Sequence, residues 1–417
     1  MTLAAWPTYD SYRNDIAPWL GDVPSDWPFE KAKWFLSHHK QLNSEGRIDN
    51  VLSLTLRGVV NNDPDNPEGL VPKDYRTYQI FEADDLVFKL IDLENVRTSR
   101  VGLVHEQGIM SSAYIRIVPP SDWNARFLHY YYFHLYEAEV FNKIGSGVRS
   151  TLGQSGLLEL PIPIIDRDTQ GKIVRLLDEK CAKVDEAVRI KEEQIALLRE
   201  RRQILIQQAV TRGLNPVAPM KDSGIDWIGQ IPAHWDVMSI RYAFKFRNNQ
   251  RIPLSASERE GKQGEYPYYG ASGIIDYVQD YIFEEDLILI AEDGANLLSK
   301  STPLAFVATG KYWVNNHAHI LQPLFPGFKY WAEVLSATDY TVYISGAAQP
   351  KLTKDRLGSV CVPVPPPEEL LAIIEFIERE SEKFANAIAI KEEQIAALKE
   401  YKTSLINAAV TGKIKVA

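Results

Sequence analysis

The chain has 417 residues and a mass of 47.3 kDa, which is too long for one ordinary hydrophobic core and predicts about two or three domains. With 45% hydrophobic and 24% charged residues, the composition excludes a fibre and a mainly disordered chain. The net charge of −9 argues against a protein that coats nucleic acid by bulk positive charge.

The sequence also indicates a cellular compartment. Its two cysteines, Cys181 and Cys361, lie far apart, which excludes a disulfide framework, argues against a cysteine-based zinc site and fits a reducing cytosol. No stretch approaches the roughly 18 apolar residues of a membrane span. Met1–Asp10 shows no basic region followed by an apolar run, so we expect no secretory signal, no membrane partner and a cytoplasmic location.

The chain is internally duplicated. Seven consecutive residues, Ile190–Ala196, return unchanged as Ile390–Ala396. Further identical residues follow in the same register as far as Thr211 and Thr411. A second repeat opens each half, where Trp19-Leu20-Gly21 and Trp27 correspond to Trp227-Ile228-Gly229 and Trp235. Each half therefore consists of a Trp-rich entry, a variable stretch of about 130 residues, a proline-marked exit and a long helical segment.

The two repeated segments are predicted to be long amphipathic helices. Apolar residues recur in steps of three, four and seven and form one stripe, close to a heptad seam. The stripe comprises Ile173, Leu177, Val184, Val188, Ile195, Leu198, Leu205 and Ala209, and in the other half Ile373, Ile377, Phe384, Ile388, Ile395, Leu398, Leu405 and Ala409. Each helix spans about 45 residues, or roughly 65–70 Å. The first ends at Gly213 and Pro216.

A helix this long with one apolar stripe needs a partner, and its own duplicate is the simplest one. We therefore expect a coiled-coil pair within the chain, with Lys191 and Lys391 as polar seam positions that fix its register. The alternative is two unrelated amphipathic helices that each cover their own domain, and the shared register fits this poorly.

The two variable stretches are predicted to be α+β globules, each with its own core. Alternating or continuous apolar runs between turn signals predict strands in residues 81–91, 102–118, 281–291 and 304–321. Residues 122–141 and 328–338 are predicted to be helical. Apart from their flanks the stretches share little sequence, which suggests two different targets held in one frame.

Catalytic motifs were not found in the sequence. It contains no Gly-x-x-x-x-Gly-Lys-Ser/Thr phosphate loop, no dinucleotide-binding Gly-x-Gly-x-x-Gly after a strand and no Asn/Asp-Pro-Pro-Tyr/Phe motif of adenine methyltransferases. His317 and His319 form a close pair without the spacing or carboxylates of a zinc site, and polar groups at a strand end explain them better. We expect neither a metal nor a cofactor, and a free-standing nuclease or methylase is disfavoured.

The sequence resembles the specificity (S) subunits of type I DNA restriction–modification systems. The resemblance rests on Asp222–Trp235 and on the repeated Lys-Glu-Glu-Gln-Ile-Ala…Leu…Ala-Val-Thr segments at 191–211 and 391–411. Tyr266–Gly273 through Trp313–His319, and Phe88-Lys89 through Gly108–Tyr114, are similar to recurrent recognition-domain types. The resemblance to the S subunits covers essentially the whole chain, and its segments follow one another in the order expected for that family.

The resemblance implies an α+β fold in which two α/β target-recognition domains are separated by two long antiparallel coiled-coil helices, with an internal pseudo-twofold duplication. We expect a first recognition domain over residues 1–165, a central conserved helix over 166–214, a second recognition domain over 215–366 and a C-terminal conserved helix over 367–417. The implied function is a non-catalytic subunit that binds a bipartite, asymmetric sequence in double-stranded DNA. Its implied partners are two methyltransferase (modification) subunits and, joined to that core, restriction subunits.

Candidate DNA-binding residues follow from side-chain chemistry. Neither recognition stretch is basic overall, so positive charge is local. Arg and Asn/Gln pair bidentately with base edges, whereas Lys and Ser/Thr more often contact phosphate. The candidates in the first stretch are Arg57, Lys73, Arg76, Lys89, Arg97, Arg100, Ser111, Ser112 and Tyr114, and in the second Lys245, Arg247, Asn248, Asn249, Arg251, Lys262, Lys300, Asn316 and His317.

Candidate partner-binding residues lie on helix faces outside the predicted seam. They are Gln194, Arg199, Arg202, Glu393, Lys399 and Tyr401. Two alternatives stay open: the specificity subunit of a methylation-only system, and a coiled-coil scaffold that presents two protein-binding modules without DNA contact.

Overall fold

The computed structural model describes residues 6–63, 72–94, 100–145, 151–346 and 349–416. The chain divides into two units: the first comprises the described residues up to Lys191 with those from Glu393 onward, and the second is Glu192–Glu392. No helix in the described ranges combines the length and the hydrophobicity that crossing a bilayer requires.

The first unit is built around an antiparallel sheet. Its strands are β1 (Tyr12–Arg13), β2 (Val23–Pro24), β3 (Phe29–Lys31), β4 (Ser37–His38), β5 (Leu52–Thr55), β6 (Gly58–Asn61), β7 (Gln79–Phe81), β8 (Leu86–Phe88), β9 (Val101–Leu103), β10 (Gly108–Met110), β11 (Ile115–Val118) and β12 (Pro161–Pro163). Four of them form a sheet in the order β4-β11-β8-β9, and β7 pairs with β10 beside it.

Three short helices accompany this sheet: α1 (Ala125–Glu137), α2 (Val140–Ile144) and α3 (Gln154–Leu158). α1 starts where the Asn124 side chain accepts hydrogen bonds from the backbone N–H groups of Arg126 and Phe127. One face of α1 is apolar and aromatic, and its Phe127, Tyr131 and other side chains are fully buried in the same core as β8. The long helix α4 (Arg167–Arg212) follows.

The second unit repeats this sheet. Its strands are β13 (Met220–Asp222), β14 (Gln230–Pro232), β15 (Asp236–Ser239), β16 (Phe244–Phe246), β17 (Gln263–Gly270), β18 (Gly273–Val278), β19 (Leu287–Ala291), β20 (Ala305–Ala308), β21 (Trp313–Val314), β22 (Ala318–Pro323) and β23 (Cys361–Val364). Its helices are α5 (Ile240–Ala243), α6 (Ala256–Glu260), α7 (Asn296–Ser299), α8 (Phe328–Ala337), α9 (Lys354–Ser359) and the long α10 (Pro367–Val410). The central order is β16-β22-β19-β20, again antiparallel.

The predicted strands and helices are therefore confirmed, and the two sheets have the same topology. In chain order the central strands β8 and β19 correspond, as do β11 and β22, β9 and β20, and β4 and β16. α1 and α8 follow the last of these strands in chain order, β11 and β22, and are buried along one face. The duplicated flanks thus frame two copies of one fold, although the stretches between them differ in sequence.

The long helices have the predicted lengths, 46 residues for α4 and 44 for α10. Each ends just before a glycine with positive φ: +69° at Gly213 and +73° at Gly412. A Cβ at Gly412 would lie 2.4 Å from a Pro24 side-chain atom, and one at Gly213 would lie 3.1 Å from the Trp235 ring. The repeated Pro-x-x-Trp entry therefore forms the surface against which a long helix ends, once in each unit.

Within each unit the long helices run antiparallel, as predicted. In the first unit, Lys402 Nζ lies 2.7 Å from the Asp185 carboxylate. In the second, Arg202 donates to Ser381 Oγ at 3.1 Å, and Arg199 lies 3.6 Å from Glu392. The seam residues are buried or half-buried throughout, including Lys191 and Lys391. The helix bounds fall inside the predicted segments 166–214 and 367–417, whereas the domain limits themselves stay a prediction.

Candidate nucleic-acid interface

A turn at the same topological position in both units carries candidate residues. In the first unit, residues 111–114 connect β10 to β11, the neighbour of the central strand β8. In the second, residues 315–317 connect β21 to β22, the neighbour of β19. We call these segments turn 1 (Ser111–Tyr114) and turn 2 (Asn315–His317). Sequence comparison of the two stretches gave no sign that these segments correspond.

Turn 1 is held by one buried amide. Gln79 opens the fully buried strand β7, is 0% exposed and donates from Nε2 to the main-chain oxygens of Ser111, at 3.2 Å, and Tyr114, at 2.6 Å. Ser111 Oγ accepts from the N–H of Ala113 inside the turn. The backbone of turn 1 is thereby fixed from below, while Ser112 stays partly exposed and Ala113 exposed.

Gln79 also brings turn 1 next to a second candidate segment. Tyr75 and Tyr78 precede β7, with ring centroids 5.5 Å apart and planes at 84°. Burial raises the pKa of the Tyr114 hydroxyl, and the neighbouring Tyr78 adds to the shift. Tyr78 therefore lies close to turn 1, and Lys73 and Arg76, which are exposed, belong to the same segment of the chain as Tyr78.

The other candidates of the first unit have different environments. Arg57 is exposed at the tip of the β5–β6 hairpin. Lys89 is half-buried, and burial together with the nearby charge of Arg100 lowers the pKa of its ammonium group. Arg97 lies outside the described residues. We correct the assignment of Arg100: it is 1% exposed and donates to the main-chain oxygens of Ile91 and Asp92, so its guanidinium is enclosed by the domain and not presented to DNA.

Turn 2 is held by an arginine and an aspartate. Arg251 Nη1 donates to the main-chain oxygens of Asn316, at 3.2 Å, and Ala318, at 2.8 Å. His317 Nδ1 lies 2.8 Å from the Asp293 carboxylate, and the N–H of His317 donates to the Asn315 side chain. Asn316 and the imidazole of His317 remain exposed.

Below turn 2 lies a polar network centred on Glu292. Its carboxylate contacts Arg251 Nη1 at 2.6 Å and Lys351 Nζ at 3.4 Å. Burial, the largest single effect, raises the pKa of the Glu292 carboxyl, but the hydrogen bond from Arg251 and the surrounding positive charge outweigh it, and the pKa lies below its usual value. Glu292 is therefore ionised and balances the guanidinium that holds turn 2.

His319 extends this network as a neutral group. Its Nε2 lies 2.7 Å from the main-chain oxygen of Leu352, which requires a proton on Nε2, and its Nδ1 accepts from the Asn248 amide at 2.8 Å. Burial lowers the pKa of the imidazole. The 3.6 Å approach of His319 Nδ1 to Glu292 is therefore not an ion pair at neutral pH.

The network also contains three of the candidate DNA-binding residues. The side chain of Arg251 is only 16% exposed, and Arg247 is paired with Glu285 and Gln322. Asn248 bonds His319 and accepts from the N–H of Ile320. Their polar groups are engaged inside the domain, so a base edge would have to displace these partners to reach them.

The remaining candidates of the second unit are dispersed. Lys245 and Asn249 are exposed, Lys262 Nζ lies 5.8 Å from the Trp313 ring centroid, and Lys300 Nζ donates to the main-chain oxygen of Thr338. In the described ranges no three His, Cys, Asp or Glu side chains are placed to share a metal ion. His317 and His319, the close pair in sequence, bond Asp293 and Leu352 instead.

The candidate partner-binding residues on the long helices divide into exposed and engaged side chains. Arg199, Glu393 and Lys399 are exposed. Arg202 instead reaches Glu333 at 2.9 Å within the second unit, and Tyr401 packs partly into the core of the first. Arg199, Glu393 and Lys399 therefore contribute solvent-exposed polar surface to the long helices.

Sequence reasoning missed the residues that hold the turns. Gln79, Glu292 and Asp293 were not among the candidates. Gln79 could have been noticed as a polar residue at the start of an otherwise apolar strand, and Glu292-Asp293 as acids directly after the apolar run of β19. Their partners lie 24 to 41 residues away along the chain, so no local pattern pointed to them.

Comparison with known proteins gives consistent likenesses. A family model described as a type I restriction modification DNA specificity domain matches residues 232–400. A Haemophilus influenzae protein named as a type I restriction enzyme specificity subunit is 35% identical over 134 residues, a match that covers 31% of this chain and only 33% of that protein. A Methanocaldococcus jannaschii protein named as the MjaX type I restriction enzyme specificity subunit is 21% identical over 428 residues, covering 95% of this chain and 96% of that protein.

The fold is likewise similar to a solved one. A chain from a structural study of complex assembly and conformational transition of the type I R-M system superimposes with a TM-score of 0.64 at 13% identity. The match covers 94% of this chain and 99% of that chain. At this identity the likeness concerns the fold, and it extends over both units rather than one.

Proposed function

We propose that this chain is a specificity subunit of a type I restriction–modification system and reads the DNA sequence for such a complex. The observation that carries the proposal is one sheet topology used twice with two chemically different turns, turn 1 and turn 2. A protein that reads two unlike half-sites needs such a repeated frame with unlike surfaces. Members of this family are non-catalytic, and the sequence contains none of the catalytic motifs sought in it.

Each unit is proposed to contact one half of a bipartite, asymmetric target in double-stranded DNA. In the second unit, the exposed Asn316 amide has the donor and acceptor that pair bidentately with an adenine edge. In the first, the hydroxyl groups of Ser112 and Tyr114 are suited to bases or phosphates, and Lys73 and Arg76 to phosphates. Because both units are net acidic, the chain alone should bind duplex DNA weakly, with partner subunits supplying further phosphate contacts.

The long helices are proposed to dock the enzymes. The exposed Arg199, Glu393 and Lys399 belong to duplicated helix segments, and two near-equivalent surfaces suit two copies of one methyltransferase subunit. Restriction subunits would join that core. Adenine methylation and ATP-dependent cleavage would then belong to the partners.

A domain exchange tests the proposal. Residues 25–160 are replaced by the matching stretch of another specificity subunit, and the chain is produced with its methyltransferase in a host whose methylated bases are sequenced. We expect one half of the methylated motif to change and the other half to stay. A change in both halves, or methylation without a sequence motif, would contradict independent reading by two units.

The same proteins distinguish the proposed function from the alternative of a coiled-coil scaffold that does not contact DNA. The chain is purified alone and with the methyltransferase, and each is tested on duplex DNA that carries the motif. Sequence-specific binding by the complex, lost when the specificity chain is omitted, supports the proposal. A complex that assembles but binds all duplexes equally would favour a scaffold for protein modules.

A further inference from the structure

In each unit a side chain from the domain interior holds the turn at the equivalent position, and the two side chains are of different types. Turn 1 receives two hydrogen bonds to its main-chain oxygens from Gln79, and turn 2 receives two from Arg251, to Asn316 and to Ala318 just after the turn. In each case one nitrogen atom donates to two main-chain oxygens: those at the two ends of turn 1, and those of Asn316 and Ala318 at turn 2. The two donors come from different places: Gln79 from β7, and Arg251 from the residue after a 3-10 turn that follows β16.

A main-chain oxygen enclosed in the domain needs a hydrogen-bond partner, so a buried donor to the oxygens of a turn stabilises one conformation of that turn. Nε2 of Gln79 is an amide with two protons, and it serves one carbonyl with each. Oε1 of the same amide is buried and meets no donor in the described ranges. A buried acceptor without a donor costs free energy, and the two hydrogen bonds donated by Nε2 offset this cost.

Arg251 serves the same purpose with a charge. Its side chain is 16% exposed and that of Glu292 is 13% exposed, so the guanidinium is largely removed from solvent and is balanced by an equally enclosed carboxylate. Nε of Arg251 also donates to the main-chain oxygen of Asn248 at 3.0 Å. The arginine therefore joins three separate segments below turn 2: the loop at Asn248, the end of β19 at Glu292 and the turn itself.

We propose that Gln79 and Arg251 are positioning residues that determine base specificity, each by fixing the turn that presents side chains to its own half-site. Neither residue is proposed to touch DNA. The inference rests on the proposed function and adds to it the two buried residues that set the geometry of reading. Ser112 and Tyr114, and Asn316 and His317, are the side chains whose direction depends on them.

Each positioning residue has a matched control in its own unit. Gln170 is also a buried glutamine, 1% exposed, that donates to a main-chain oxygen, that of Ile165, but it lies on α4 away from turn 1. Arg259 resembles Arg251: it is 20% exposed, pairs with Asp276 and donates to the main-chain oxygen of Leu254. Loss of either control removes a buried polar contact without touching a turn.

The test uses the chain in complex with its methyltransferase subunits, and its readout is the methylated motif resolved base by base. Gln79→Met should relax one or two positions of the first half-site, and Arg251→Met one or two positions of the second, each with about a tenfold loss of discrimination at the relaxed position. The other half-site should stay unchanged in each variant. Gln170→Met and Arg259→Met should keep the full motif, even if they lower the melting temperature as much.

Three results would overturn the inference. One is an unchanged motif in the folded Gln79→Met and Arg251→Met complexes, another is equal relaxation of both halves, and the third is the same relaxation in the control variants. If a methionine variant does not assemble, Gln79→Asn and Arg251→Lys replace it. The asparagine amide is one methylene shorter, and a single lysine ammonium cannot keep the contacts with Asn248, Glu292 and turn 2 at the same time. A wild-type complex without a bipartite motif would instead refute the proposed function, which keeps the two failures distinguishable.

Discussion

In the first unit a neutral amide, Gln79, fixes the turn after β10, whereas in the second an arginine balanced by Glu292 fixes the turn after β21. The central four-stranded sheets of the two units have the same strand order and are both antiparallel, whereas β10 pairs antiparallel with β7 and β21 pairs parallel with β17. What the copies share is the apolar pattern of the strands and the helix that covers them, and what differs is the polar group beneath the turn. The frame is thus set by hydrophobic burial, which tolerates exchange of side chains of similar volume, while buried polar contacts are specific to each copy.

The largest expected effect concerns the ion pair with the least exposed side chains among the described residues. In the first unit, Arg116 Nε lies 2.6 Å from Asp85, with side chains 6% and 3% exposed. Asp85→Ala would leave the Arg116 charge buried and unpaired, and we expect a loss of about 3–5 kcal/mol in unfolding free energy. The matching change in the second unit, Glu292→Ala, should cost less, about 2 kcal/mol. Arg251 would keep its hydrogen bonds to main-chain oxygens there, and its side chain is 16% exposed.

Urea unfolding combined with hydrogen exchange measures both variants. The loss from Asp85→Ala should be confined to amides of the first unit, and that from Glu292→Ala to amides of the second. Equal losses in the two variants would show that burial does not separate these ion pairs.

The next effect is the response of the first unit to acid. Burial, with a smaller contribution from Lys413, lowers the pKa of His134 to about 4. The folded imidazole therefore stays neutral while the unfolded one binds a proton near its ordinary pKa of about 6.5. This contribution to stability is complete above that value and is lost as the pH falls from 6.5 towards 4, by up to about 3 kcal/mol.

A His134→Phe variant tests the sign of this dependence. Thermal unfolding is recorded between pH 7 and pH 4 for both proteins. The first unit of the variant should lose less stability over this range than that of the wild type, although His129, whose pKa is also lowered to about 4, keeps its own share. A steeper loss in the variant would contradict the assignment.

The smallest effect compares two equivalent positions of the duplicated helices. Arg202 donates from Nη2 to both Glu333 and Ser381, whereas Lys402 donates to the carboxylate of Asp185, which is 61% exposed. Removal of an exposed pair changes stability by about 0–1 kcal/mol, so Lys402→Ala should be close to neutral. Arg202→Ala should cost slightly more, about 1 kcal/mol, because two partners lose a donor. Chemical denaturation of the two single variants decides the order, and a larger loss at Lys402 would reverse the comparison.

The sequence by itself determined the features that repeat locally. The heptad stripe predicted both long helices, and Gly213 marked the end of the first, since a 3.6-residue period and a terminal glycine are properties of neighbouring positions. The second helix ends at Val410, before the predicted limit at residue 417. The Trp-rich entries and the apolar strands were equally visible. So was the resemblance to type I specificity subunits, because the residues that carry it lie in those same duplicated segments.

Only the tertiary structure decided which polar residues face outward. Arg100 and Arg251 lie in segments as polar as those of Lys73 and Asn316, yet the first two are enclosed and the last two are exposed. Enclosure depends on carbonyl and carboxylate partners contributed by other segments, such as Glu292 for Arg251, 41 residues away. The sequence shows that these donors and acceptors are present in the chain. Only the fold brings a donor and its acceptor within hydrogen-bonding distance, because that distance is set by the packing of strands that are remote in the chain.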